Sequence, residues 1–106
     1  MAEKIPSGNT ATINSTDDIT VYTVPTNRKF ELRTLIIVNN ESSSVTYDIY
    51  DGSSTSGKKK MTVVVSPNDV LPLTQLEGFE FATSVVVKAS AYSSGGYITV
   101  GGYDTQ

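Results

Sequence analysis

The stretch from Arg28 to Asn39 most constrains what this chain can fold into. Phe30, Leu32, Thr34, Ile36 and Val38 fall on one parity, while Lys29, Glu31, Arg33 and Leu35 begin the other. A two-residue repeat marks a strand with one face in a core and one mostly in water. The repeat recurs at Val45, Tyr47, Ile49 and Asp51, and again at Val85, Val87 and Ala89. Val is the commonest apolar residue, and Ser and Thr make up about a quarter of the chain. β-Branched side chains lose rotamer freedom in a helix but pack well on a pleated surface. Leu, Ala, Glu and Lys never combine into a helical period. The core must therefore come from sheets.

Turn residues divide the chain into strands. Ile19 to Val24 is stopped by Pro25, which lacks the donor a ladder needs. Asn39 to Ser43 is a turn, and Asp51-Gly52 opens a loop running to Gly57. Lys60 to Ser66 follows. Its Val63-Val64-Val65 is apolar on both faces, which predicts a central strand or one covered by a partner. After the turn at Pro67-Asn68-Asp69 come short strands at Val70–Leu73 and Phe79–Phe81, with Gly78 between them. Ser84 to Tyr92 and Tyr97 to Tyr103 form a closing hairpin around Ser93-Ser94-Gly95-Gly96, where glycine accepts positive φ.

About eight strands with short turns predict an all-β fold, an antiparallel β-sandwich of jelly-roll-like form. At 106 residues there is room for one domain. Residues 1–18 are polar, with Pro6, Gly8, Asn9 and Asn14, and read as a flexible N-terminal arm with a short strand at Thr10 to Ile13. Residues 19–106 are the sandwich domain. The expected core contains Leu32, Ile36, Val38, Val64, Val85 and Val87, with Phe30 near its edge.

Charge and residue types narrow the function. The net charge is -3 and histidine is absent, which disfavours nucleic acid, whose binders need a basic face. The basic run Lys58-Lys59-Lys60 reads first as a guard on an edge strand and second as a contact for an anionic surface. Without cysteine there are no disulfides and no thiolate metal sites. The first ten residues hold no apolar core of a signal peptide, so synthesis without a secretion signal is expected. Runs such as Leu35-Ile36-Ile37-Val38 are too short to cross a membrane. Asn14-Ser15-Thr16 and Asn40-Glu41-Ser42 match the glycosylation pattern, as chance allows in a chain so rich in Ser and Thr.

Without His or Cys most nucleophile–base pairs are unavailable, and no Gly-rich loop opens a helix. The carboxylate pairs Asp17-Asp18 and Asp48 with Asp51 are the material for a glycosidase, though neither sits in an apolar pocket. Asp48 and Asp51 are also chemically suited to calcium, but their spacing matches no loop signature. No catalytic, cofactor-binding or metal-binding residue is expected. Six tyrosines, Tyr22, Tyr47, Tyr50, Tyr92, Tyr97 and Tyr103, lie in or beside strands. Half-buried packing accounts for most of them, and a partner surface for the remainder.

Tyr22-Thr23-Val24-Pro25, then charged residues, then Leu35-Ile36-Ile37-Val38-Asn39-Asn40 resembles the opening of small virion proteins of tailed phages and related viruses. Ser66-Pro67-Asn68-Asp69-Val70-Leu71-Pro72-Leu73 resembles their turn before a short strand. Val85 to Ala91 and Tyr97 to Tyr103 look like their closing hairpin. Their usual Gly-Asp step is altered here to Leu76-Glu77-Gly78-Phe79. The resemblance implies a non-enzymatic β-sandwich that decorates a capsid or joins a tail or fibre. It also implies a homo-oligomer, with a trimer as its symmetry, partnered by capsid or tail proteins in the virion. Val64 and Val86, the outward members of two valine triplets, and Tyr50, Tyr92 and Tyr97 are the expected interface residues. A carbohydrate- or surface-binding module and a small glycosidase are the other readings.

Overall fold

A computed structural model describes residues 3–106 of the chain. It contains nine strands: β1 (Lys4–Ile13), β2 (Ile19–Thr23), β3 (Lys29–Asn39), β4 (Val45–Asp51), β5 (Lys58–Val65), β6 (Asp69–Leu73), β7 (Glu80–Phe81), β8 (Ser84–Ala89) and β9 (Gly96–Thr105). They form two antiparallel sheets, ordered β1-β9-β3-β6, with β7 also on β3, and β2-β8-β4-β5. The order records how the chain folds. β1 pairs β9, β2 pairs β8, β3 pairs β6 and β7, and β4 pairs β5. The first four strands thus run back along the last five as one long double ribbon. Wrapping that ribbon brings β9 against β3 and β8 against β4, which completes two sheets in jelly-roll order.

The space between the sheets is filled by Val21, Phe30, Leu32, Leu35, Ile37, Val45, Tyr47, Ile49, Val65, Phe81, Val85, Val87, Ile98 and Val100, all buried. Tyr22, Phe30 and Phe81 form a tilted aromatic run at one end, with ring centroids 4.7 and 6.5 Å apart. Below it, the Tyr22 hydroxyl donates to Asp104 Oδ2 at 2.5 Å, so a buried carboxylate ends the aromatic run. Burial, and then that hydrogen bond, raise the Tyr22 phenol above its ordinary value.

Several expectations need correcting. The closing hairpin does not form: β8 pairs β2 and β4 in one sheet, β9 pairs β1 and β3 in the other, and the Ser93–Gly96 turn crosses between the sheets. β3 does not keep one parity throughout. Leu32 stands opposite Gly102 and Thr34 opposite Gly101, so Arg33 is an extra residue in the strand. A one-residue bulge moves every later side chain to the other face. Phe30 and Leu32 point inward before it, and Leu35 and Ile37 after it. Phe30 is therefore deep in the core, while Ile36 and Val38 lie half-buried on the outer face.

β5 is an edge strand and not a central one. Val63 and Val65 stand opposite Tyr47 and Val45 and face inward, while Val64 is 61% exposed. The lysine run lies on this edge, as the guard reading requires, and Lys60 is the extra residue of a second bulge opposite Ile49 and Tyr50.

Residues 1–18 were expected to form an arm. Residues 1–2 lie outside the described residues, but Lys4 to Ile13 is a strand paired with β9 in unbroken register. Its inward residues Ile5, Ser7, Asn9, Ala11 and Ile13 mix polar with apolar. β1 borders solvent on one side, so it needs less apolar contrast than a central strand.

Candidate assembly surface

Side chains on the outer face of the β1-β9-β3-β6 sheet follow from the register. One row reads Thr12, Tyr97, Val38, Val70 across the four strands, and the next reads Thr10, Thr99, Ile36, Pro72. Gly8, Gly101 and Thr34 form a third row. Further down come Pro6, Tyr103 and Glu31, then Lys4, Thr105 and Lys29. The face thus has two unlike halves.

The lower half is charged and paired within itself. Lys4 reaches Glu31 at 3.5 Å across β9, Arg33 meets the same carboxylate at 3.2 Å, and Lys29 meets Glu80 at 3.4 Å. These neighbours, led by the Arg33 hydrogen bond, hold the Glu31 carboxyl below its ordinary range. The upper half carries only hydroxyl, apolar and glycine residues. Tyr97 is 49% and Val70 47% exposed, and Thr10 Oγ1 and Thr99 Oγ1 bond each other at 2.8 Å. Four neighbouring strands about 4.8 Å apart make this half an open platform, with no side chain at Gly8 and Gly101.

The turn above the platform is anchored by a buried acid. Glu41, at the β3–β4 turn, accepts from the Ser93, Ser94 and Gly95 amides at 2.8, 3.0 and 2.7 Å. Those amides, in that order, hold its carboxyl below the usual range. Gly95 is required here. Its φ is +78°, and a Cβ would lie 2.3 Å from the Ile13 carbonyl oxygen. Asn39, fully buried, completes the anchor. Its amide donates to the carbonyls of Ser43, Val65 and Ser66, each at 3.1 Å, and its oxygen accepts from Glu41 N at 2.9 Å. Neither residue was singled out as more than turn polarity. The signal is the Asn39-Asn40-Glu41 order directly after a strand.

The five expected interface residues are scattered. Tyr97 lies in the platform. Tyr92, 48% exposed, is in the β8–β9 turn, its ring against Gly95. Tyr50 is half-buried on the outer face of the other sheet, with Lys59 Nζ 5.9 Å from its ring centroid. Val64 is exposed at the far edge of that sheet. Val86 is no surface residue at all, being 3% exposed. It points away from the core, between Thr20 and Tyr50. Asp18 accepts from Ser54 N at 2.9 Å and Lys88 Nζ donates to the Thr16 carbonyl at 2.9 Å.

The acidic pairs do not converge. Asp48 and Asp51 are three residues apart on β4 and so face opposite sides. Asp48 accepts from Thr62 and pairs with Lys59. Asp51 accepts from the Ala82, Thr83 and Ser84 amides at 2.9, 2.9 and 3.3 Å. Burial alone raises its carboxyl, but the amides outweigh it and the net shift is downward. Among the described residues no group of three or more acids could hold a metal.

No family model and no curated protein matches the chain. Among solved structures, one described as the crystal structure of PirA is similar at 16% identity, covering 96% of this chain and 92% of that chain, with a TM-score of 0.46.

Proposed function

We propose that this protein is a non-enzymatic virion structural protein that self-associates and docks on a larger viral assembly, as a capsid decoration or a tail or fibre component. The observation that carries the reading is the uncharged upper half of the β1-β9-β3-β6 face. Tyr97, Val38 and Val70 stand in one row and Ile36 in the next, among hydroxyls and with no charge. Interface cores are depleted in charge and enriched in tyrosine, and an open sheet face binds another protein better than it binds a small molecule, which needs a concave pocket. The resemblance to small phage virion proteins points the same way.

Sedimentation over a wide concentration range tests it. The wild type should run heavier than one chain, and Tyr97→Lys should give smaller particles that stay folded. A wild type that is monomeric throughout and has no affinity for capsid or tail proteins refutes the reading. A second reading, binding to a polysaccharide surface, draws on Tyr97 and Tyr103, which share this face about 20 Å apart. Oligosaccharide titration followed by tyrosine fluorescence separates the two.

A further inference from the structure

Both sheets of an open sandwich leave edges with unpaired N–H and C=O groups, and proteins usually blunt them. Here three edges are blunted. β5 carries Lys58, Lys59 and Lys60 and a bulge. β2 is five residues long and bulged at Val21. At the β3 side of the other sheet lie β6, five residues with Pro72 and Asp69, and β7, only two residues long. β1 is blunted only at its start, by Lys4 and Pro6. It is ten residues long, holds its register with β9 from Lys4 to Ile13 with no bulge, and has no proline after Pro6. From Ile5 to Thr16 it and the following turn have no charge.

We infer that the free edge of β1 pairs antiparallel with β1 of a second copy about a two-fold axis, joining the β1-β9-β3-β6 sheets of two chains into one. The inference rests on the self-association reading above. Charge selects the antiparallel arrangement. A parallel pair places Lys4 beside Lys4, whereas a two-fold axis normal to the sheet and through the Asn9 pair separates the two lysines by about 34 Å. That distance exceeds the screening length of about 8 Å at physiological salt. Such an axis also turns both outer faces the same way. The two platforms then remain open for a larger partner, and edge and face serve different contacts. Backbone bonds supply the strand-to-strand attraction, as in other strand additions. The small side chains Ser7, Gly8, Thr10 and Ala11 let a second strand approach. The closed pair consumes the edge, so it does not grow into a filament.

The absence of native cysteine makes a direct test possible. Single variants Ser7→Cys, Asn9→Cys, Thr10→Cys and Thr12→Cys are oxidised in the otherwise intact chain, with Thr20→Cys on β2 and Thr62→Cys on β5 as controls. Only the residue on the two-fold axis faces its own copy at a separation a disulfide can span, because copies of its neighbours are displaced along the strands. Asn9→Cys should convert most of the chain to a disulfide dimer, with Ser7→Cys, Thr10→Cys and Thr12→Cys reacting less and the controls staying reduced. Linking at β2 or β5, or none in β1 while the wild type sediments as an oligomer, overturns the edge pairing but leaves self-association standing. A particle of three chains without β1 linking does the same. A wild type that sediments as a single chain at every concentration overturns both.

Discussion

The bulge at Arg33 decides which of two adjacent isoleucines holds the fold together, and a pair of substitutions reads it directly. Ile37 is fully buried between the sheets, while Ile36 lies half-buried on the outer face beside Thr99 and Pro72. Ile37→Ala removes three carbons from the core, worth about 2.4 kcal/mol in transfer free energy at ~0.8 kcal/mol each. The cavity left behind raises the loss into the range of about 2–5 kcal/mol. Ile36→Ala removes the same atoms from a site that keeps part of its contact with water and leaves no closed hole. About 1 kcal/mol is expected there from the same area reasoning. For a domain of this size each kcal/mol moves the midpoint by about 4–8 °C, so Ile37→Ala should melt at least 8 °C below the parent. Urea unfolding at low protein concentration gives both values without interference from association. The slope with denaturant should be unchanged in both variants, which shows that stability and not compactness has moved. Equal losses, or a larger loss at Ile36, refute the face assignment and with it the bulge.

Tyr22→Phe removes the partner of Asp104 Oδ2 and leaves a buried carboxylate unpaired, since Oδ1 already has no partner among the described residues. A loss of about 1–3 kcal/mol in urea unfolding is expected. Gly102→Ala places a Cβ 1.8 Å from the Glu31 carbonyl oxygen beside the bulge, where only backbone can yield. It should destabilise by at least about 1–3 kcal/mol, and a neutral result means that β9 does not approach β3 so closely. Glu41 and Asp51 are held below their ordinary values by backbone amides. Their contribution is therefore complete above the unfolded carboxyl range near pH 4 and is lost as pH falls through the lower folded values. Melting temperature should be flat from pH 7 to about 5 and drop below about 4, and Glu41→Gln should flatten that drop.

Much of the architecture was legible in the residues. The strands from Ile19 onward, the turns at Asn39, Pro67 and Ser93, and the sandwich follow from alternation and turn chemistry, which are local properties; the partners are not local, so the turn at Ser93 suggested a hairpin where the chain in fact crosses between sheets. The bulge was harder to see because each half of β3 alternates correctly by itself. Only the adjacent polar pair Arg33-Thr34 between Leu32 and Leu35 betrays the break in phase. β1 hid for a different reason. An edge strand over a thin part of the core can place Ser7 and Asn9 inward, with Asn9 Nδ2 donating to the Val21 carbonyl at 3.1 Å, so its apolar contrast is weak. Val86 could not be placed from its neighbours in sequence, because the residues that flank it, Thr20 and Tyr50, are distant along the chain. Tyr97, named for its type, is exposed, but the uncharged rows around it exist only once the register aligns Val38, Val70 and Ile36.

The position of β9 between β1 and β3 governs how the protein can be made. Residues 96–105 supply the only strand that β1 pairs with along its length and the second strand of that sheet. A ribosome adding about 5–20 residues per second spends several seconds on the chain, and through all of that time β1 has been made but lacks its partner. The β4–β5 hairpin can form early from neighbouring residues. The larger sheet cannot close before residues 96–105 have been made, and pairings this distant along the chain are slow to form. The nascent chain therefore carries β1 unpaired until residues 96–105 emerge. That strand has few large apolar residues between Lys4 and Ile13, so it can remain in water without inviting aggregation during the wait.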